Sequence, residues 1–141
     1  MTGKKTFTMI KPLAFKQGYT GKILDRILEE GYLIVALKMY FLCKREAKAF
    51  YEVHKERPFY DELTDYMASG PIVAAILQKD NAVSDYRKLI GATNPKDAAP
   101  GTIRDLYGTD LSRNAVHGSD SDENALIECR FFFSELEEMT G

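Results

Sequence analysis

The chain has little of what usually announces a function. It has no tryptophan, two cysteines, two histidines and a net charge of −2. The histidines and cysteines are widely spaced and make no metal-ligand pattern. Cys43 and Cys129 stand in apolar surroundings and read as reduced core thiols rather than a disulfide. The near-neutral charge excludes a globally basic nucleic-acid binder, while leaving room for a local cationic cluster. No apolar run approaches the length of a membrane span, and the N-terminal stretch MTGKKTFTM lacks the apolar centre of a secretory signal. The expectation is a cytoplasmic protein with no membrane partner. Glycine cradles for phosphate are missing too: there is no Gly-x-x-x-x-Gly-Lys-Ser/Thr, and no Gly-x-Gly-x-x-Gly follows a strand. Any phosphate binding must therefore fall to side chains. Repeats, low-complexity segments and linkers are absent. A length of 141 residues with 45% hydrophobic content predicts one domain, 1–141, with a real core.

What is present alternates. Residues 6–11 read as a strand, and Ile23, Leu24, Ile27 and Leu28 as one face of a helix that Gly31 can end. Residues 32–42 form a long apolar run broken only by Lys38, the pattern of a central strand. Ala47, Phe50, Tyr51 and His54 share a helical face, and Phe59, Leu63, Tyr66 and Met67 mark a short helix after Pro58. Residues 72–77 read as a buried strand; Val83, Tyr86 and Ile90 as the core face of a helix closed by Gly91. Residues 92–114 have weak periodicity and carry Pro95, Pro100, Gly101 and Gly108, a loop long enough to suggest function. A helix over 120–128 and an aromatic strand over 131–133 complete the series. This order predicts an α+β, ferredoxin-like βαββαβ antiparallel sheet sandwich, with extra helices, a long loop before His117, and helices covering one face.

The chemistry concentrates in Asn114-Ala115-Val116-His117-Gly118-Ser119-Asp120-Ser121. Asp120 and Glu123 have the spacing of a capping box, and a helix start favours anions. An imidazole can accept a phosphoryl group, and the neighbouring Gly118 would let a substrate come close. A lone histidine in a polar loop is more often simply solvated. Further candidates are Lys11 at a strand end, Arg87, Thr93 and Arg104, each of which alone reads as an ordinary surface residue. Tyr51 and His54 are three apart, Phe59 is a candidate stacking platform for a base, and Glu128 sits near the end of the expected helix, where the dipole disfavours a carboxylate. Spacing alone does not bring Glu128 to His117.

Six segments, in order, carry a resemblance. They are Thr8-Met9-Ile10-Lys11-Pro12, His54-Lys55-Glu56-Arg57-Pro58-Phe59, Ser69-Gly70-Pro71, Gly91-Ala92-Thr93-Asn94-Pro95, Pro100-Gly101-Thr102-Ile103-Arg104 and Arg113 through Ser121. Together they resemble the nucleoside diphosphate kinase family from end to end. The resemblance implies transfer of the terminal phosphate of a nucleoside triphosphate, typically ATP, to a nucleoside diphosphate, ribo or deoxyribo, in a ping-pong cycle that maintains triphosphate pools. It implies Mg²⁺ carried on the nucleotide phosphates with Asp120 nearby, and a homo-oligomer, tetramer or hexamer, built from dimers. It implies His117 as the phosphorylated residue, supported by Tyr51 and Glu128, and Lys11, Arg87, Thr93, Arg104 and His54 on the phosphates. Asn114 with Lys11 would meet the sugar, and Phe59 and Leu111 would flank the base. Imidazole ordinarily titrates near 6.5, so a neutral nucleophile is available at pH 7 without a general base. Stacking on a ring recognises any base, which fits low base selectivity.

One position departs from the family pattern: Leu13 stands where members usually carry an aspartate, removing a carboxylate near the basic cluster and raising the question of how Arg104 is held. The chain also stops soon after Glu138, which suggests a bacterial type of member. Two rivals belong to other classes. One is a nucleotide-binding or regulatory protein without turnover. The other is an RNA-recognition module, which needs exposed aromatics on a basic sheet face.

Overall fold

A computed structural model describes residues 3–139; residues 1–2 and 140–141 lie outside it, and with them the start of the N-terminal stretch and both ends of the expected domain. Its sheet has four strands in the order β2-β3-β1-β4, every neighbouring pair antiparallel. These are β1 (Lys5–Ile10), β2 (Leu33–Tyr40), β3 (Ile72–Gln78) and β4 (Val116–Gly118). Seven α-helices surround them among the described residues: α1 (Pro12–Lys16), α2 (Thr20–Glu29), α3 (Lys44–Phe50), α4 (Tyr60–Met67), α5 (Ala82–Ile90), α6 (Ile103–Tyr107) and α7 (Asp122–Phe132). The ferredoxin-like α+β class is as expected.

The sheet is covered on both faces, not one. Strand parity explains it, because successive side chains leave opposite faces. Phe7 and Met9 of β1, with Ile72, Ala74 and Ile76 of β3, pack against α3, α4 and α7. Ile10 of β1, with Val73, Ala75 and Leu77 of β3, packs against α1, α2, α5 and α6. Among the described residues both faces of β1 and β3 are covered, and the strand side chains that stay exposed belong to β2.

Two strand expectations are corrected. The apolar run at 32–42 predicts a central strand, yet β2 lies at the edge. Val35 and Ala36 are buried, while Leu33, Leu37 and Met39 are exposed. The run is apolar on both sides, but at the sheet edge each side is covered only in part: Val35 and Ala36 enter one core, Ile34 packs against the other, and the rest of β2 is half-buried or exposed. The aromatic stretch 131–133 does not form a strand: Phe131 and Phe132 finish α7, whose buried face runs through Ala125, Cys129 and Phe132 at helical spacing. The fourth strand is instead β4, which carries His117.

The helix start also shifts. Ser121, not Asp120, caps α7, its Oγ accepting from the Asn124 N–H at 3.0 Å. Cys129 is a buried free thiol, whereas Cys43 is exposed at the start of α3 and is no core residue.

Candidate functional site

His117 reaches the site through register. In the β1–β4 pairing Met9 stands opposite His117, and the Lys11 N–H continues the pairing by donating to the Ala115 carbonyl at 2.8 Å. Met9, Lys11 and His117 therefore share one side of the sheet, while Val116 and Gly118 turn to the other. Ala115 takes φ of 75°, a left-handed conformation costly for a residue with a Cβ, and this kink admits the chain to β4. Gly118 lines the cavity, and packing requires a glycine there as well. A Cβ there would stand 2.8 Å from Ile90 Cδ1 and 3.2 Å from Tyr86 Cδ2.

A cavity of about 500 Å³ opens over this side. Its lining includes Lys11, Tyr51, His54, Phe59, Arg87, Thr93, Arg104, Leu111, Asn114, His117, Asp120 and Glu128, so all the candidates named from sequence meet at one place. The 92–114 segment supplies four of them. It is not structureless: it contains a 3₁₀ turn, Pro95–Asp97, and then α6, which presents Arg104.

The imidazole is tightly framed. Nε2 lies 2.9 Å from Glu128 Oε1, and that oxygen also accepts from Ser119 Oγ at 2.7 Å. Ser119 is fully buried and itself accepts from the Phe7 N–H at 3.1 Å. Because α7 runs on to Phe132, Glu128 lies before the last helical turn, where the dipole does not disfavour a carboxylate. Phe50 meets the imidazole edge-on at 5.2 Å between centroids, and Tyr51 at 6.1 Å. Sequence reasoning assigned no role to Ser119 or Phe50. Ser119 lay inside the motif, and Phe50 precedes Tyr51 on the apolar side of α3; neither carried a signal of its own.

Two cations are buried at the cavity floor with no carboxylate partner among the described residues. Lys11 is 5% exposed, and Nζ donates only to the Ser112 carbonyl at 3.3 Å. Burial, and then the neighbouring Arg104, bring its pKa down from 10.5 to about 7, against a smaller upward pull from Asp110. Arg104 is 7% exposed and donates to the carbonyls of Gly91 at 3.1 Å and Val116 at 3.0 Å. Burial lowers it to about 10. Two carbonyls hold Arg104 in place, so Leu13 costs it no anchor; the Leu13 N–H donates to Tyr66 Oη at 2.9 Å. The nearby carboxylate Asp110 is committed to Arg113, which donates to it through Nε and Nη2.

Three buried polar atoms on the cavity residues lack any partner among the described residues: Tyr51 Oη, Arg104 Nε and Asn114 Oδ1. Buried polar atoms are rarely left so, and three in one cavity mark a site shaped for a polar ligand. The Asn114 amide is oriented by Nδ2 donating to the Thr93 carbonyl at 3.0 Å. At the mouth, Phe59 is partly exposed with His54 5.6 Å from it, and Leu111 is exposed. Burial and Arg57 lower the pKa of His54.

Comparison with known proteins gives this geometry its setting. The family model described as "Nucleoside diphosphate kinase" matches residues 4–138. The chain belongs to the nucleoside diphosphate kinase family. A nucleoside diphosphate kinase from Flavobacterium psychrophilum is 57% identical over 138 residues, covering 98% of this chain and 99% of the relative. One from Persephonella marina is 51% identical over 97% of this chain and 98% of its own length. Among solved structures, the nucleoside diphosphate kinase of Aquifex aeolicus superposes with a TM-score of 0.95 at 46% identity, covering 96% of this chain and 99% of that one. A halophilic nucleoside diphosphate kinase from Halobacterium salinarum, solved in complex with CDP, gives 0.92 at 36% identity over 98% and 92%. The activity of a nucleoside diphosphate kinase is ping-pong exchange of the terminal phosphate between nucleoside triphosphates and diphosphates, as the six sequence segments implied.

Proposed function

We propose that His117 is the phosphoryl carrier of that exchange, with ATP as the usual donor and ribo- or deoxyribonucleoside diphosphates as acceptors. One observation carries the reading. Glu128 and Ser119 occupy Nε2 through a fixed carboxylate, so Nε2 keeps the proton and Nδ1 holds a free lone pair in the cavity that Lys11, Arg87 and Arg104 also line. Nδ1 attacks the terminal phosphorus. The phosphorus–nitrogen bond forms as the bond to the bridging oxygen breaks, and the departing diphosphate takes the electron pair. A second diphosphate then reverses the step from the same place.

The other roles follow from chemistry. Lys11, Arg87 and Arg104 neutralise the leaving diphosphate, and Thr93 and His54 reach the remaining phosphate oxygens. Asn114 Oδ1, with no partner in the cavity, accepts from a sugar hydroxyl alongside Lys11. Phe59 and Leu111 clasp the base. Tyr51 packs the imidazole in place; burial raises its pKa, so its hydroxyl stays a donor.

A divalent cation accompanies such kinases, and Mg²⁺ is the one we assign. Among the described residues no three His, Cys, Asp or Glu side chains cluster to hold a metal alone. Asp120 lines the cavity with one oxygen accepting from Asn124 Nδ2 at 2.6 Å. One carboxylate beside a polyphosphate suits Mg²⁺, which would add charge neutralisation at the leaving group.

Incubation with γ-labelled ATP and Mg²⁺ is expected to give an acid-labile, alkali-stable phosphoprotein that any nucleoside diphosphate discharges. Tight nucleotide binding without labelling would favour the binding protein without turnover and overturn the reading.

The assembly is proposed as a tetramer or hexamer built from dimers. The free edge of β2 and the exposed Leu33, Leu37, Met39 and Phe41 support it, since an apolar edge strand is a ready interface. Light scattering should return a multiple of the 16.0 kDa chain mass, and the Leu37→Glu, Met39→Glu double variant a lower one. A monomeric parent chain would refute it. The exposed free thiol of Cys43 accords with a reducing, cytoplasmic location, which cell fractionation tests.

A further inference from the structure

β4 is too short to hold His117 by its ladder alone. It has three residues, pairs with β1 on one side only, and follows the left-handed Ala115. Behind it lie two buried hydroxyls that the reaction does not use. Thr8 is 1% exposed and Tyr86 fully buried, in the core opposite the cavity. Thr8 Oγ1 lies 2.6 Å from Tyr86 Oη and 2.7 Å from the His117 carbonyl oxygen.

The direction of this chain is fixed by proton count. A carbonyl only accepts, so Thr8 spends its single hydrogen on the His117 oxygen. Tyr86 must then donate to Thr8. Burial holds the Tyr86 phenol protonated well beyond neutral pH, so the donor does not fail. The order is Tyr86 Oη–H to Thr8 Oγ1–H to the His117 carbonyl.

These bonds link three elements that each bring one cationic or nucleophilic group to the cavity. Thr8 is on β1, which ends before Lys11; Tyr86 is on α5 beside Arg87; the acceptor is the backbone of His117 itself. The Gly118 backbone presses on the same Tyr86 ring, leaving no room for a Cβ. We propose that Thr8 and Tyr86 are positioning residues for phosphoryl transfer: their buried hydroxyl chain sets where the His117 backbone, and hence its imidazole, stands relative to Lys11 and Arg87. This rests on His117 being the phosphoryl carrier.

The consequence is a selective one. Neither hydroxyl faces the cavity, so nucleotide binding is unaffected. Transfer depends on alignment, where a displacement of about 1 Å slows the step by up to about a hundredfold. Thr8→Val keeps the shape, removes the donor to His117 and strands the Tyr86 hydroxyl. Tyr86→Phe keeps Thr8 as a donor but releases its orientation.

The experiment is rapid-quench phosphorylation of the protein by Mg²⁺ and ATP, with ADP affinity measured by calorimetry on the same samples. Thr8→Val is expected to slow His117 phosphorylation by about ten- to a hundredfold, with ADP affinity within about twofold. Thr8→Ser, which restores the hydroxyl, should return to within about threefold of the parent chain, and Tyr86→Phe should fall between them. If Thr8→Val does not fold, the ordering of parent chain, Thr8→Ser and Tyr86→Phe decides. Unchanged phosphorylation in Tyr86→Phe, a slow Thr8→Ser, or losses confined to ADP affinity would each overturn the proposal. A parent chain that does not label on histidine would instead overturn the carrier assignment.

Discussion

His117→Ala is expected to exchange phosphate at least about 10⁴-fold more slowly than the parent chain while binding nucleoside diphosphate within about threefold. The size of the loss follows from the cavity. It has a volume of about 500 Å³ and one set of phosphate and base contacts, so donor and acceptor occupy it in turn. Without a carrier, the phosphoryl group would have to pass directly between two nucleotides that do not fit together. Retained binding follows because Lys11, Arg104, Asn114 and Phe59 remain, and Glu128 keeps its bond from Ser119. Steady-state exchange with ATP and a second diphosphate, beside calorimetric titration with ADP, measures both quantities. Residual exchange within about tenfold of the parent chain would remove His117 from its role.

Lys11→Met is expected to do two opposite things: lower kcat/KM for the triphosphate by about 10²–10³-fold, and make the empty protein more stable at pH 7. The loss of activity reflects a missing charge at the leaving diphosphate. The gain in stability reflects burial of an ammonium with one long hydrogen bond, an arginine beside it and no carboxylate. Its proton is released near pH 7 in the folded chain and near 10.5 in the unfolded one. Between those values the unfolded state holds the extra proton, so this group destabilises the fold most at pH 7 and below, and the penalty fades as pH rises toward 10.5. A shift of that size is worth several kcal/mol, and methionine, similar in shape, escapes it. The expected thermal midpoint of Lys11→Met at pH 7 is about 5 °C or more above the parent chain, narrowing toward zero near pH 10. Urea or thermal unfolding at pH 7 and 9.5 tests the sign; a difference that is constant with pH would refute it. The same physics predicts uptake of up to one proton when ADP binds near pH 8, visible as a buffer-dependent binding enthalpy.

The identity of this site was readable because its chemistry is local in sequence. Lys11 before Pro12, the Asn114–Ser121 motif and the Pro100–Arg104 segment each keep their residues together, and their order along the chain carries the family. What failed to read were properties set by distant neighbours. Phe131-Phe132-Phe133 has the composition of a strand, but Ala125, Cys129 and Phe132 share one helical face, and packing on β1 decides for the helix. Residues 32–42 have the apolarity of a central strand, because the same composition serves burial in a core and exposure at a sheet edge.

By itself the sequence determined the α+β class, the family, and which residue types could handle phosphate. Only the tertiary structure decided that Glu128, eleven residues along and on another element, closes on His117 Nε2 with Ser119 behind it. It alone decided that Lys11 and Arg104 lie buried without a carboxylate, and that Thr8 and Tyr86 grip the backbone of β4. The reason is physical. Residue type fixes what a side chain can donate, accept or transfer; the burial that shifts its pKa, and the partner that fixes its tautomer, come from elements that meet only when the chain folds.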